Sequence, residues 1–542
     1  MIAPLTPSSL PTPVDVVIIG SGLGGLCCAA TLAYYGLDVL VCESHTLPGG
    51  AAHSFSYQGF HFDSGPSLFS GLSYPSGLDQ RSLLTDPRIQ SLSVNPLRQV
   101  LDLIEEDVSW LTYDAWGCFV PEGYFRAAVG AEPFLEILRS WRGEAAVAEW
   151  QSLQQIMDPL KRASVAIPPL AVRWDWGAWL TLGRFLPDIW QQGSRILQLS
   201  RPFSDLLSGV IQDPFIRNWL DLLCFMLSGL PAEGTIAAEM AFMFADWYRP
   251  GVKLDYPAGG TGSLVKALIR GITKKGGRVQ LKAPVKWIQV KKQGWSQWAT
   301  GVELENGQKI EARLGVVSNA SLWDTLKLLP MGSIPPELQK RQSTIPTCRS
   351  FMHLHLGIDA TALPSDLECH YLVVDDWERG VDAEQNVVAI SIPSVLDPTL
   401  APPGKQGIHA YLPATEPYAL WQGLDRSSET YQHLKRERSE VLWRGLERII
   451  PDIRQRCELT LVGTPLTHER FLRRYHGTYG PAIPAGRGLF PGSKTPIDRL
   501  LCCGDSTFPG IGVPAVAASG LIAAHQFIPV GSHFQLLGRI RG

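Results

Sequence analysis

Charged side chains are scarce in this chain of 542 residues, 18% of the total, and they nearly balance to a net charge of −3. A nucleic acid or other polyanion is therefore not expected as a partner, since such ligands call for a basic excess. The 10 cysteines contain no CxxC pair. Cys27-Cys28 and Cys502-Cys503 are neighbours whose thiols point apart on a strand or helix, so reduced, buried thiols are expected, with neither a zinc site nor a disulfide framework. No run of roughly 18 apolar residues occurs, so no spanning helix is expected. Internal repeats and low-complexity blocks are also missing. Residues 1–13, rich in Pro, Ser and Thr, lack Lys, Arg and an apolar core of signal-peptide length; they read as a flexible tail without export function.

Apolar residues, by contrast, make up 45% of the chain and include 17 tryptophans. That is a high share for a soluble enzyme, and it keeps open a protein seated peripherally on the cytoplasmic side of a membrane. The length exceeds what one core usually holds and predicts two domains.

The most informative stretch runs from Val14 to Pro66. An apolar strand at Val16 to Ile19 enters Gly20-Ser-Gly22-Leu-Gly24-Gly25, and a helix then leads to a second strand ending at Glu43 with Ser44 beside it. In such a unit Gly20 permits the tight turn and Gly22 the approach of a pyrophosphate. Gly25 allows helix and strand to pack closely, and the helix N-terminus points free N–H groups at the phosphates. Glu43, about 20 residues on, is placed for ribose hydroxyls.

Further along, Leu72 to Trp247 reads as mostly helical, interrupted by Pro168, Pro169, Pro187 and Pro202. Pro257 to Asn319 returns to α/β character, with strands near Val285 to Val290 and Thr300 to Leu304 and a hairpin signal at Glu305-Asn306-Gly307-Gln308. Ser350 to Leu356 and Gln406 to Leu412 read as strands of a second sheet, and Tyr431 to Ile450 as an exposed, charged helix. At the end, a strand delivers Gly504 and Asp505 to a loop, and Gly510-Ile-Gly512-Val513-Pro514 opens an apolar helix. Asp505 is placed for a ribityl hydroxyl or a phosphate. The N–H groups of Val513 and Ala515, with none on Pro514, suit the electron-rich edge of an isoalloxazine, where a helix dipole favours negative charge.

Three blocks, GSGLGGL, PAGGTGSLVKAL and CGDSTFPGIGVPAVAASG, resemble the FAD-dependent carotenoid desaturase and carotenoid isomerase family, with retinol saturases as relatives. The last block looks most like the isomerases, Phe62-Asp63-Ser64-Gly65-Pro66 is similar to bacterial-type phytoene desaturases, and Gly49-Gly50-Ala51-Ala52-His53 resembles retinol saturases. The resemblance implies an α/β fold: a Rossmann-like, glutathione-reductase-type FAD-binding domain (14–95, 250–345 and 485–530) interleaved with a mixed α+β substrate and membrane-binding domain (96–249 and 346–484). It implies FAD contacts at Gly20, Gly22, Gly24, Gly25, Glu43, Ser44, Gly49, Gly50, Ala51 and Val285, and at Gly504, Asp505, Gly512, Val513, Pro514 and Ala515. Amine oxidases of this superfamily usually carry an arginine where Ala51 stands, which counts against a polar amine substrate.

Ile167-Pro-Pro-Leu170 is followed by Trp174, Trp176, Trp179, Phe185 and Trp190, interleaved with Arg173, Arg184, Arg195 and Arg201. Rings with basic neighbours suit a lipid headgroup boundary; the alternative is a cap that buries its tryptophans. His353 and His355 alternate on a strand and read as hydrogen-bonded sheet histidines, with no third ligand at metal spacing. His468, Arg470, Arg473, Arg474 and His476 form a basic cluster. Phe215, Trp219, Phe225, Met226, Phe242, Met243, Phe244 and Trp247 read mainly as core.

The expected function is an FAD-dependent oxidoreductase acting on a carotenoid or related polyene, foremost a cis-to-trans isomerase using reduced FAD. A phytoene-type desaturase and a retinol-saturase-like reductase are alternatives within the family. A non-catalytic polyene carrier with a retained nucleotide fold is the alternative from another class. No side chain is assigned as catalytic, and the oligomeric state stays open.

Overall fold

The computed structural model describes residues 13–541 except 74–92, 174, 184, 186–189, 191–192, 194 and 250. The expected tail thus lies almost wholly outside the described residues, as do Trp174, Arg184 and Pro187.

Two seven-stranded sheets organise the chain. The first runs Arg278–Gln280, Val39–Cys42, Val14–Ile19, Lys309–Ser318, Ser296–Leu304, Val285–Gln293, with Leu500–Cys502 also paired to Lys309–Ser318. Val14–Ile19 is buried along nearly all its length, as an apolar run covered on both faces must be. It lies parallel to Val39–Cys42 and to the second half of Lys309–Ser318. The first half of Lys309–Ser318 instead pairs antiparallel with Ser296–Leu304, through the predicted hairpin at 305–308. Helix Leu23–Tyr34 covers this sheet together with Val513–His525, Thr261–Lys274 and Pro96–Leu103. The first pair touches backbone to backbone: a Cβ on Gly520 would lie 2.3 Å from the Gly24 carbonyl oxygen.

The second sheet runs Cys457–Gly463, Ser350–Asp359, Lys405–Glu416, Val387–Ser391, His370–Val374, Ala115–Val120, Gly123–Ala128. It is antiparallel except where His370–Val374 lies parallel to Ala115–Val120. Helix Glu429–Glu447 packs on one face. The strands Trp110–Tyr113, Ala115–Val120 and Gly123–Ala128 correct the mostly helical reading of 72–247. Their aromatic and β-branched content and the Pro121-Glu122 turn favour a hairpin.

A helical layer covers the other side: Ala131–Arg142, Glu144–Ser164, Pro214–Ser228 and Ala237–Trp247. Pro214–Ser228 begins where the Asp213 carboxylate accepts from the N–H groups of Phe215 and Ile216 at 2.9 and 3.2 Å, and it ends at Gly229 in the left-handed region. Trp150, Phe134, Phe215, Trp219 and Phe244 fill the space beneath; the Phe134 and Trp219 rings stack with centroids 5.5 Å apart. Such a core offers large apolar area and rigid walls.

Candidate active site

Between the first sheet, the second sheet and this helical layer lies a cavity of about 680 Å³. Gly20, Gly22 and Gly24 form one end, with Glu43, Ser44 and Val285 beside them; Gly49, Gly50 and Ala51 continue the wall. Gly504, Asp505, Gly512, Val513 and Pro514 line the cavity as well. Residues as far apart in sequence as Gly20 and Pro514 are thus gathered at one site. Gly25 and Ala515 do not reach the cavity wall. Gly25 serves packing, since a Cβ there would stand 2.4 Å from the Gly20 carbonyl oxygen.

The cradle fits a dinucleotide. Helices Leu23–Tyr34 and Val513–His525 both start at a glycine, Gly22 and Gly512, with no side chain capping the first turn. Their unpaired N–H groups and dipoles therefore remain for a ligand. Crowding around the turn is extreme: a Cβ on Gly24 would lie 2.9 Å from the Gly504 nitrogen. Asn319, at the end of Lys309–Ser318, fills the corner where the first glycine turn meets Gly504; sequence reasoning missed it.

Glu43 is buried at the edge of this cradle. One carboxylate oxygen accepts from the Ser21 N–H at 2.8 Å and the Ser21 hydroxyl at 2.6 Å. The other accepts from the His45 N–H at 2.7 Å and the Ser44 hydroxyl at 3.2 Å. The Ser44 bond is the longest of the four. Asp505 receives the Arg474 guanidinium at 2.5 Å, so one member of the basic cluster belongs to the site. Arg473 and His468 also line the cavity, whereas His476 stacks on Tyr475 and Tyr418.

Asp63 does structural work. It accepts from Ser54 Oγ at 2.6 Å, the Tyr256 hydroxyl at 2.7 Å and the Thr261 N–H at 2.9 Å. The FDSGP and PAGGTG blocks are pinned together through this carboxylate.

The far half of the cavity is apolar. Phe225, Met226, Leu227, Phe242, Met243 and Trp247 form its helical wall, while Phe215, Trp219 and Phe244 stay in the core behind. The second sheet contributes histidines. His353 is hydrogen-bonded to His409 at 3.0 Å, and the His355 ring stacks on His409 with centroids 4.2 Å apart. Burial holds His355 down to about 4 and His468 down to about 3, and it drives His353 and His409 well below the usual imidazole range. These rings are neutral near pH 7. Among the described residues, no group of three or more His, Cys, Asp or Glu side chains is arranged to hold a metal ion. All ten cysteines are free.

A dinucleotide cradle opening into a largely apolar, aromatic-lined chamber defines a flavoprotein of the oxidoreductase type. The chain belongs to the flavin containing amine oxidoreductase family, whose model matches residues 23–528; its cofactor is FAD. It is 31% identical to the chloroplastic prolycopene isomerase of Daucus carota, over 94% of this chain and 79% of that one. Identity is 26% with the neurosporene-forming phytoene desaturase of Rhodobacter capsulatus, covering 95% and 93% of the two chains. It is also 26% with the all-trans-retinol 13,14-reductase of Danio rerio, covering 92% and 83%. An oxidoreductase from Methanosarcina mazei shares the fold at a TM-score of 0.59 and 18% identity, over 94% of this chain and all of that one.

Proposed function

We propose that the protein is an FAD-dependent carotenoid isomerase that converts cis double bonds of a polyene to trans. The observation carrying this reading is the 31% identity to a prolycopene isomerase along 94% of the chain. The shape of the cavity supports it: a glycine cradle at one end and an apolar chamber at the other suit a nucleotide cofactor and a hydrocarbon chain. Ala51, standing where amine oxidases usually have an arginine, agrees with a substrate that carries no amine.

In this reading Gly20, Gly22 and Gly24 cradle the pyrophosphate, Glu43 and Ser44 take the adenosine ribose, and the backbone at Val285 meets the adenine. Gly49, Gly50 and Ala51 close over the dinucleotide. Asp505, after Gly504, takes a ribityl hydroxyl, and the backbone at Gly512 and Val513, where the second uncapped helix begins, faces the flavin ring. The FAD-binding domain comprises 14–95, 250–345 and 485–530, and the substrate domain 96–249 and 346–484. When bound and reduced, FAD would supply electron density that stabilises charge on the conjugated chain while the bond rotates, with no net oxidation. The helical wall from Phe225 to Trp247 excludes water, and the neutral histidines add no competing charge.

We further propose that the protein works at a membrane surface. Trp176, Trp179 and Trp190 are 72%, 83% and 86% exposed, with Leu180 and Leu197 also exposed nearby in sequence. A cap that buries its tryptophans does not describe these three side chains. Among the described residues no helix is long and apolar enough to cross a membrane, so contact through this segment would be peripheral.

The deciding experiment supplies a poly-cis carotene in lipid vesicles to the enzyme under anaerobic conditions with reduced FAD. Turnover to a product of equal mass and altered isomer profile is expected. A product two hydrogens lighter with oxidised FAD would assign a desaturase, and one two hydrogens heavier with reduced FAD a saturase.

A further inference from the structure

Five carboxylates line the main cavity: Glu43, Glu239, Asp246, Asp324 and Asp505. Four have donors or cations. Glu43 holds Ser21 and His45, Asp246 pairs with Arg249 at 3.1 Å, Asp324 with Lys327 at 3.0 Å, and Asp505 with Arg474. Glu239 has none, and its buried Oε2 lacks any hydrogen-bond partner. Native proteins rarely leave such an atom unpaired without a reason.

Its position is equally unusual. Glu239 lies in the first turn of Ala237–Trp247, the helix that supplies Phe242, Met243 and Trp247 to the apolar wall. It also borders a second, small cavity of about 20 Å³, shared with Ile511, Pro509 and Phe490. A space of that size holds about one water. Gly488 and Leu489 line it too, and both are exposed on the surface. The carboxyl therefore stands between the large, mainly apolar chamber and a water-sized one beneath the protein surface. Ile511, common to both cavities, immediately precedes Gly512, where the helix aimed at the cofactor begins.

We propose that Glu239 is the acid–base group of the isomerisation, giving a proton to a carbon of the cis double bond and taking one back after rotation. The assignment rests on the polyene-isomerase reading. In the forward step the Glu239 O–H bond breaks and a C–H bond forms with the π electrons. The positive charge left on the polyene spreads along its conjugation, and the former double bond turns as a single bond. In the return step a C–H bond breaks, its electron pair restores the double bond, and the carboxylate regains a proton. No electrons leave the substrate, and no co-reactant is consumed.

The protonation state suits the role. Burial, with no other contribution, pushes the Glu239 carboxyl up to about 7. The ionisable groups that sense its charge are the Cys224 thiol on Pro214–Ser228 and the Tyr479 phenol across the cavity. Burial first of all raises both, so they are neutral where Glu239 titrates.

The test compares wild type with Glu239→Gln and Glu239→Asp as FAD-loaded enzymes on a poly-cis carotene. With Gln, kcat should fall by roughly a hundredfold or more while KM and the flavin spectrum stay unchanged; Asp should restore part of the rate. Wild-type kcat should decline as pH rises through about 7, because the donor is then ionised. Independently of turnover, infrared titration of the substrate-free enzyme should show a protonated-carboxyl band that disappears near that pH and is missing in the Gln variant. A Gln variant with wild-type kcat overturns the assignment and leaves the isomerase reading intact. So does a carboxyl already ionised at pH 5 in wild type, a result that stands even if the Gln variant fails to fold. Wild type that isomerises no polyene overturns both readings together.

Discussion

Asn319 stands so close to Gly22 that a Cβ added to the glycine would lie 2.6 Å from the asparagine side-chain nitrogen. The space beside the glycine turn is therefore already taken by a neighbouring side chain, which any larger residue at Gly22 would have to displace. The obstructing atom ends a flexible side chain, so Gly22→Ala should cost part of the flavin content, and Asn319→Ala in the same chain should recover some of it. Gly25 differs, because its Cβ would meet the Gly20 carbonyl oxygen at 2.4 Å, and backbone cannot swing away. Gly25→Ala should lose flavin with or without Asn319→Ala. Flavin absorbance per protein after gel filtration reads both; equal loss in all variants would contradict this ranking.

Asp505 and Arg474 form a second dependent pair. The Arg474 guanidinium also donates to the Tyr479 carbonyl at 2.7 Å and is largely shielded from water. Asp505→Asn would leave that cation with a neutral partner. Loss of a partly shielded, charge-assisted bond costs roughly 1.5–3 kcal/mol. The apoprotein of Asp505→Asn should show a lower urea midpoint with unchanged slope, and its FAD affinity should fall as well. An apoprotein of wild-type stability would mean that the pair contributes nothing before the cofactor binds.

The nucleotide cradle was legible because its signals are local: glycine spacing, a strand on either side and an acid at the end of the second strand. The same holds for the late strand, glycine turn and helix, which the fold sets directly against the first helix. Asn319 and Glu239 were not legible, and Arg474 only as one of a basic cluster, since each acquires its meaning from surroundings far away in sequence. The histidines show this most clearly. Alternation placed His353 and His355 on one face, but only antiparallel pairing of Ser350–Asp359 with Lys405–Glu416 sets His409 opposite His355. The hairpin at 115–128 was overlooked because long helical patterns surround it on the C-terminal side.

The exposed tryptophans give a prediction about location. Half of a tryptophan ring's roughly 200 Å² withdrawn from water is worth about 2.5 kcal/mol at ~25 cal/mol per Å². Replacing Trp176, Trp179 and Trp190 with Ser should therefore release the enzyme from liposomes in sedimentation assays. Flavin content should stay intact, since none of the three lines the cavity. Unchanged sedimentation would refute membrane contact through this segment.

The histidine group makes stability depend on pH in a direction that can be worked out. Unfolded imidazoles take up protons near pH 6.5, whereas His355 does so only near 4 and His468 near 3, with His353 and His409 also held well below 6.5. Above pH 6.5 neither state binds these protons, and stability is flat with respect to them. Between pH 6.5 and 4 the unfolded chain binds protons that the folded one refuses, so stability falls as pH falls. Each such ring contributes up to about 1.4 kcal/mol per pH unit while its folded form stays neutral. Glu239 acts oppositely there, because its folded carboxyl is raised, and the raised carboxyls of Asp221, Asp255 and Glu416 act in the same sense. Comparing wild type with His409→Phe cancels the groups they share. Phenylalanine keeps a flat ring against His355 and removes one titrating site. Unfolding free energies from urea titrations followed by circular dichroism should fall less steeply below pH 6.5 in the variant, by up to about 1.4 kcal/mol per pH unit. Parallel curves would mean that His409 is already protonated in the fold, and the neutral histidine wall of the cavity would have to be abandoned.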